Sequence, residues 1–79
     1  MNKSSIDLVK SIFKEVFGFM SDTELERLNK DETQAWDSQT LVRIVTEIEA
    51  EFDLFLEVEE AMSIKSFQSC IALLSSKIP

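Results

Sequence analysis

This chain has no histidine, one cysteine (Cys70), one glycine (Gly18) and one proline (Pro79, its last residue). Without histidine no serine has the ordinary imidazole base, and nothing marks a lysine as its substitute. A single cysteine excludes an internal disulfide and leaves zinc without a ligand set, so packing must hold the fold. One glycine excludes a glycine-rich phosphate loop. The acidic composition raises the question of calcium. The run from Asp31 to Val42, however, puts Ala35 where an EF-hand wants an oxygen and Trp36 where it wants glycine. Catalysis is therefore not expected of this chain. A long apolar run is also missing, so neither a signal peptide nor a membrane span is predicted. The scarcity of cysteine suits a reducing cytoplasm, where a monomer is the default expectation.

Charge is plentiful and one-sided. Fifteen acids face eight bases, for a net charge of −7. Nucleic acid is not expected as a partner on this ground, since phosphate binding needs a basic surface. Residues 40–60 contain seven of the acids and one base, Arg43, whereas residues 61–79 carry two lysines and no acid. The negative field thus concentrates in one stretch, where it can steer basic partners. Solubility alone is the competing explanation.

Few breakers and many helix formers predict an all-helical domain spanning residues 1–79. A first helix is expected from about Ser5 to Phe17. Ser4 or Ser5 would cap it, Asp7 would lie in its first turn, and Gly18 would end it in the left-handed conformation. Ile6, Val9, Phe13 and Val16 form its apolar stripe, widened by Ile12 and Phe17. A long connection over residues 19–36 includes a capping box, Ser21-Asp22-Thr23-Glu24, and thus a short helix through Leu28. Leu25 and Leu28 would pin it to the core, and residues 29–34 read as polar loop. A second long helix begins near Ser38 and stops near Asp53, with Leu41, Ile44, Val45, Ile48 and Phe52 on one face. Thr40, Arg43, Glu47 and Glu51 fall opposite, with an Arg43–Glu47 pair one turn apart. A short helix over Val58–Met62 and a last one capped by Ser66, burying Phe67, Cys70, Ile71 and Leu74, complete the reading. Cys70 reads as a buried apolar residue and not as a reactive thiol.

Ser38 admits two readings. Asp37 or Ser38 is an ordinary helix cap. A serine at a helix N-terminus is also a good anchor for a phosphodiester, because free N–H groups and the positive end of the dipole favour phosphate there. A separate enzyme could activate the hydroxyl, and the two readings are compatible.

Asp37-Ser38, the helix carrying Leu41, Val45 and Ile48, the turn Glu49-Ala50-Glu51-Phe52, and then Leu56, Ala61, Ile64 and Ser66-Phe67 resemble the acyl carrier protein family. The register runs without a gap from Trp36 to Leu74, and residues 1–35 match more loosely. The resemblance implies a small four-helix bundle of three main helices plus a short third one, with a long first loop. It implies that Ser38 receives 4′-phosphopantetheine from coenzyme A by the action of a phosphopantetheinyl transferase. The arm would carry acyl groups as thioesters to loading and transfer enzymes with basic docking patches. Asp37, Val42, Glu47, Glu49 and Glu51 become the partner-docking residues by this likeness, although each glutamate reads equally well as a solvated face. Leu41, Val45, Ile48, Leu56, Ala61, Ile64 and Cys70 match positions lining the family's acyl cavity. Plain core packing is the preferred reading of these seven, with six phenylalanines filling the space. Trp36 is likewise expected to pack in the core. The chain departs from the family's pattern at Gln39 and Thr46, where an apolar contact row leaves Val42 alone, at Arg43, and in lacking a glycine before Asp37. These departures favour a specialised pathway over standard fatty acid synthesis. An aminoacyl or peptidyl carrier of the same fold stays open, as does an unmodified acidic interaction module.

Overall fold

The computed structural model describes residues 1–18 and 20–78. Helix α1 spans Lys3–Phe17, α2 Asp22–Arg27, α3 Ser38–Phe52, α4 Val58–Met62 and α5 Phe67–Lys77, with a 3-10 turn at Lys30–Glu32. Among the described residues there is no strand, only an isolated antiparallel bridge between Asn29 and Ser66. The chain is thus mostly helical, as its composition predicts.

Helix starts follow local hydrogen-bond chemistry. Asn2, and neither Ser4 nor Ser5, caps α1, its side-chain oxygen accepting from the Ser5 amide at 2.8 Å. Asparagine caps as well as serine does, and starting earlier adds the bond from the Ile6 amide to the Asn2 carbonyl at 3.1 Å. Asp7 consequently lies beyond the first turn. Ser21 and Glu24 form the expected reciprocal box at α2, with bonds of 3.2 and 3.0 Å. Ser66 caps α5 and bonds reciprocally with Ser69, at 2.9 and 3.0 Å.

Helix ends are less uniform. Gly18 has φ 88° and ψ −179°, so its positive φ needs glycine but its extended ψ is not the left-handed ending expected. Added side-chain bulk would meet nothing within 4 Å, so conformation is the constraint there and space is not. Asp53 stops α3 in the left-handed region, at φ 50° and ψ 53°. Leu28 falls just outside α2, yet both it and Leu25 are buried, as the pinning argument required. The loop after them is more ordered than its polarity suggested. Lys30 donates its amide to the Lys65 carbonyl at 2.7 Å, fastening the long connection to the start of α5.

The core forms where α1 packs on α2, α3 and α5, and α2 on α5. Val9, Phe13, Leu25, Ile44, Ile48, Ile64, Cys70 and Leu74 are fully enclosed. Four aromatic rings brace one end. Phe13 meets Phe67 edge-on at 5.5 Å, and Trp36 lies 5.9 Å from Phe13 and 5.2 Å from Phe17. Not all six phenylalanines serve the core. Phe55 stands in solvent, Phe17 and Phe52 are half-buried, and Phe19 lies outside the described residues. Lys10 and Lys14 clamp Asp22 at 3.2 and 2.8 Å, tying α1 to α2, and these bonds, Lys14 first, hold the Asp22 carboxyl below its ordinary pKa.

Helix α4 is the exception to this packing. It buries no residue of its own and sits between buried Leu56 and Ile64. Glu60 secures it, accepting from the Glu57 amide at 3.0 Å and pairing with Lys77 of α5 at 2.8 Å.

Candidate functional site

The start of α3 is built around one large side chain. Trp36 is buried among Phe13 and Phe17, and its amide bonds the Thr33 carbonyl at 3.0 Å. Its indole Nε1 is buried and has no hydrogen-bond partner among the described residues. The Ala35 carbonyl accepts from the Asp37 amide at 3.1 Å and from the Thr40 hydroxyl at 2.8 Å, which closes a tight turn into the helix. With Trp36 sunk in the core, Asp37 and Ser38 emerge at the surface.

The cap is Asp37. Its Oδ1 accepts from the Thr40 amide at 2.8 Å. That bond, followed by contact with the Thr40 hydroxyl, holds the Asp37 carboxyl below its ordinary value, so it is anionic at neutral pH. Ser38 is the first helical residue and exposed. Among the described residues its hydroxyl has no hydrogen-bond partner, because the capping task falls to its neighbour. The helix therefore offers a free hydroxyl at its electropositive end.

Two apolar hollows adjoin this position. One, of about 340 Å³, is lined by Lys30, Trp36, Asp37, Ser38, Leu41, Val42 and Met62. The second, of about 430 Å³, runs on between α3 and α4, lined by Leu41, Val42, Val45, Thr46, Glu49, Phe55, Leu56, Val58, Ala61 and Met62. Leu41, Val42 and Met62 are common to both, so the two are neighbouring parts of one surface.

The residues matched to an acyl cavity divide into two groups. Leu41, Val45, Leu56 and Ala61 line the groove, while Ile48, Ile64 and Cys70 are fully enclosed in the core and do not reach it. Burial pushes the Cys70 thiol up to about 12, leaving it protonated and unreactive. The docking residues divide as well. Asp37, Val42 and Glu51 are exposed. Glu47 is half-buried, with one oxygen 3.7 Å from Arg43 and the other enclosed with no partner among the described residues. Glu49 turns inward, its Oε2 accepting from the Leu56 amide across the α3–α4 loop at 2.9 Å.

Sequence reasoning missed Lys30, placed in a polar loop, and the exposure of Phe55, Val58 and Met62. A signal for Phe55 was available. Leu54-Phe55-Leu56 is an apolar triplet outside any helix, and in extended chain alternate residues face opposite ways. Leu56 is buried, Leu54 half-buried and Phe55 exposed, which is that alternation. Among the described residues no group of three or more histidines, cysteines or acids is placed to hold a metal ion. No helix of the described residues is long and apolar enough to cross a membrane. In comparisons with known proteins, no family model, curated protein or solved structure matches this chain.

Proposed function

We propose that this chain is a non-enzymatic carrier protein, modified on Ser38 with 4′-phosphopantetheine and delivering acyl groups to partner enzymes. The observation that carries this reading is the division of roles at the start of α3. Asp37 does the capping, and the Ser38 hydroxyl is left exposed and unengaged beside an apolar groove. A cap serine would have its oxygen committed to the backbone.

The surroundings fit a phosphodiester followed by a largely apolar arm. The first-turn amides of α3 favour a phosphate beside the negative charge of Asp37, and Lys30 lines the same hollow. Leu41, Val42 and Met62 then continue the hollow as apolar wall. The arm supplies a thiol on which an acyl or aminoacyl group is held as a thioester. The chain's part is to present Ser38 Oγ, to keep it clear of competing hydrogen bonds, and to raise the cargo's effective concentration at whichever enzyme has docked. Because Ile48, Ile64 and Cys70 are packed solid, cargo that shelters on the protein does so in the surface groove and not inside the bundle.

The test is incubation with coenzyme A and a broad-specificity phosphopantetheinyl transferase, followed by intact mass measurement. A gain of one phosphopantetheinyl group, lost in Ser38→Ala, is the expected result. A folded protein that no transferase modifies would leave an acidic interaction module as the better reading, which the exposed apolar surface beside α4 also suits.

A further inference from the structure

We infer that the α3–α4 loop and α4 carry the apolar anchor by which the enzyme acting on Ser38 grips this chain, and that Glu49 positions that anchor. The inference rests on the carrier reading above and adds to it the surface and the kind of partner. Val42, Phe55, Val58 and Met62 are 63%, 73%, 75% and 63% exposed, and all four line one groove. Val42 and Met62 also line the hollow at Ser38, so they lie beside the hydroxyl that a loading enzyme must reach. Aromatic and methionine side chains clustered in this way are what interface cores are made of.

Charge selects the occupant. No lysine or arginine occurs between Arg43 and Lys65, and exposed Asp53, Glu57 and Glu59 flank Phe55 and Val58 along the chain. A second copy would set like charges face to face, and an anionic lipid surface would be repelled for the same reason. The complementary partner is a protein with an apolar pocket ringed by lysine and arginine.

Glu49 has a different task from the exposed acids. Its carboxylate accepts from the Leu56 amide at 2.9 Å, and its carbonyl accepts from the Leu54 amide at 3.3 Å and from the Asp53 amide. One residue thus fastens the loop on both sides of Phe55, which leaves Phe55 directed to solvent. What this needs from Glu49 is a hydrogen-bond acceptor. Its charge is secondary.

The experiment is steady-state loading by a phosphopantetheinyl transferase, with carrier concentration varied and intact mass as readout. Phe55→Ser and Met62→Gln change exposed side chains and should leave the thermal melt intact. The expected result is a KM raised about tenfold with kcat within about twofold, since the anchor acts in docking and not in transfer. Glu49→Gln, which keeps an acceptor, should load like the wild type, and Glu49→Ala should follow Phe55→Ser. Unchanged KM in both Phe55→Ser and Met62→Gln overturns the docking surface while leaving the carrier reading in place. Equal losses in Glu49→Gln and Glu49→Ala overturn the positioning role in favour of direct charge contact. A dimer in solution that Phe55→Ser dissolves would assign the surface to a second copy and overturn the proposed partner. No loading of the wild type removes the carrier reading and this inference together.

Discussion

At the scale of single residues, the informative pair is Asp37 and Ser38, because the proposed function gives adjacent positions separate jobs that two substitutions can tell apart. Ser38→Ala should leave stability within about 0.5 kcal/mol of the wild type while abolishing loading, since the hydroxyl makes no bond among the described residues. Asp37→Ala should do the reverse in a melt, lowering the transition temperature by freeing the Thr40 amide. Acid offers an independent check. The Asp37 carboxyl is held below its ordinary value near 3.8 by the Thr40 amide, so the unfolded chain takes up a proton at higher pH than the folded one. Its contribution is complete above that ordinary value and disappears as pH falls through the lowered one. Melts recorded down to about pH 2 should show a shallower acid decline for Asp37→Asn than for the wild type. Trp36 carries a contrasting liability, a buried N–H that finds no partner among the described residues. Trp36→Phe keeps most of the packing and removes that group. It should therefore melt at or above the wild-type temperature, whereas Trp36→Ala should cost about 3–5 kcal/mol.

At the scale of elements, α1, α3 and α5 carry the fold and α4 is carried by it. Phe13 touches Phe17, Trp36 and Phe67, so it joins α1 to the start of α3 and to α5. Phe13→Ala should cost about 3–5 kcal/mol, a large share of the stability of about 5–15 kcal/mol typical of a native domain. Denaturant titration would measure it. Helix α4 has no buried residue and is held by Leu56, Ile64 and the Glu60–Lys77 pair. Amide hydrogen exchange should therefore be faster across Val58–Met62 than in the middle of α1 or α3, and faster still in Lys77→Met. Equal protection in α4 and α3 would contradict this account. The groove beside Ser38 has its firm wall on α3 and its weaker wall on α4, which suits the transient docking proposed above.

At the scale of the whole molecule, charge opposes compactness. The chain has a radius of gyration of 11.5 Å, close to the roughly 11.6 Å expected of a compact domain of this length, and confines a net −7 within it. Repulsion within residues 40–60 is offset locally by Arg43 on Glu47 and by Lys77 reaching back to Glu60. Raising salt from about 0.1 M to about 1 M shortens the screening length from about 10 Å to about 3 Å, which should raise the melting temperature by relieving that repulsion. The same salt should slow loading by a basic-rimmed transferase, because steering is lost along with the repulsion. Opposite signs in the two measurements, on one protein and in one buffer series, separate the internal from the external effect of the acidic stretch.

What could be read without coordinates was whatever depends on neighbours in sequence. Helix periodicity, the Ser21–Glu24 box, the Ser66 cap, the Asp53 stop and the burial of Trp36 are set by residues three or four apart or by sheer apolar area, and the structure has them all. The emergence of Asp37-Ser38 at a helix start was legible for the same reason. Only the tertiary structure decided which of that pair caps, since the choice depends on how Trp36 and the Ala35 carbonyl orient the turn. It also decided that Glu49 bonds to the Leu56 amide seven residues away and that Lys30 borders the same hollow as Ser38. Each of these joins groups that no helical or strand period brings together. A glutamate on an acidic helix reads as solvated until a chain reversal delivers an amide to it.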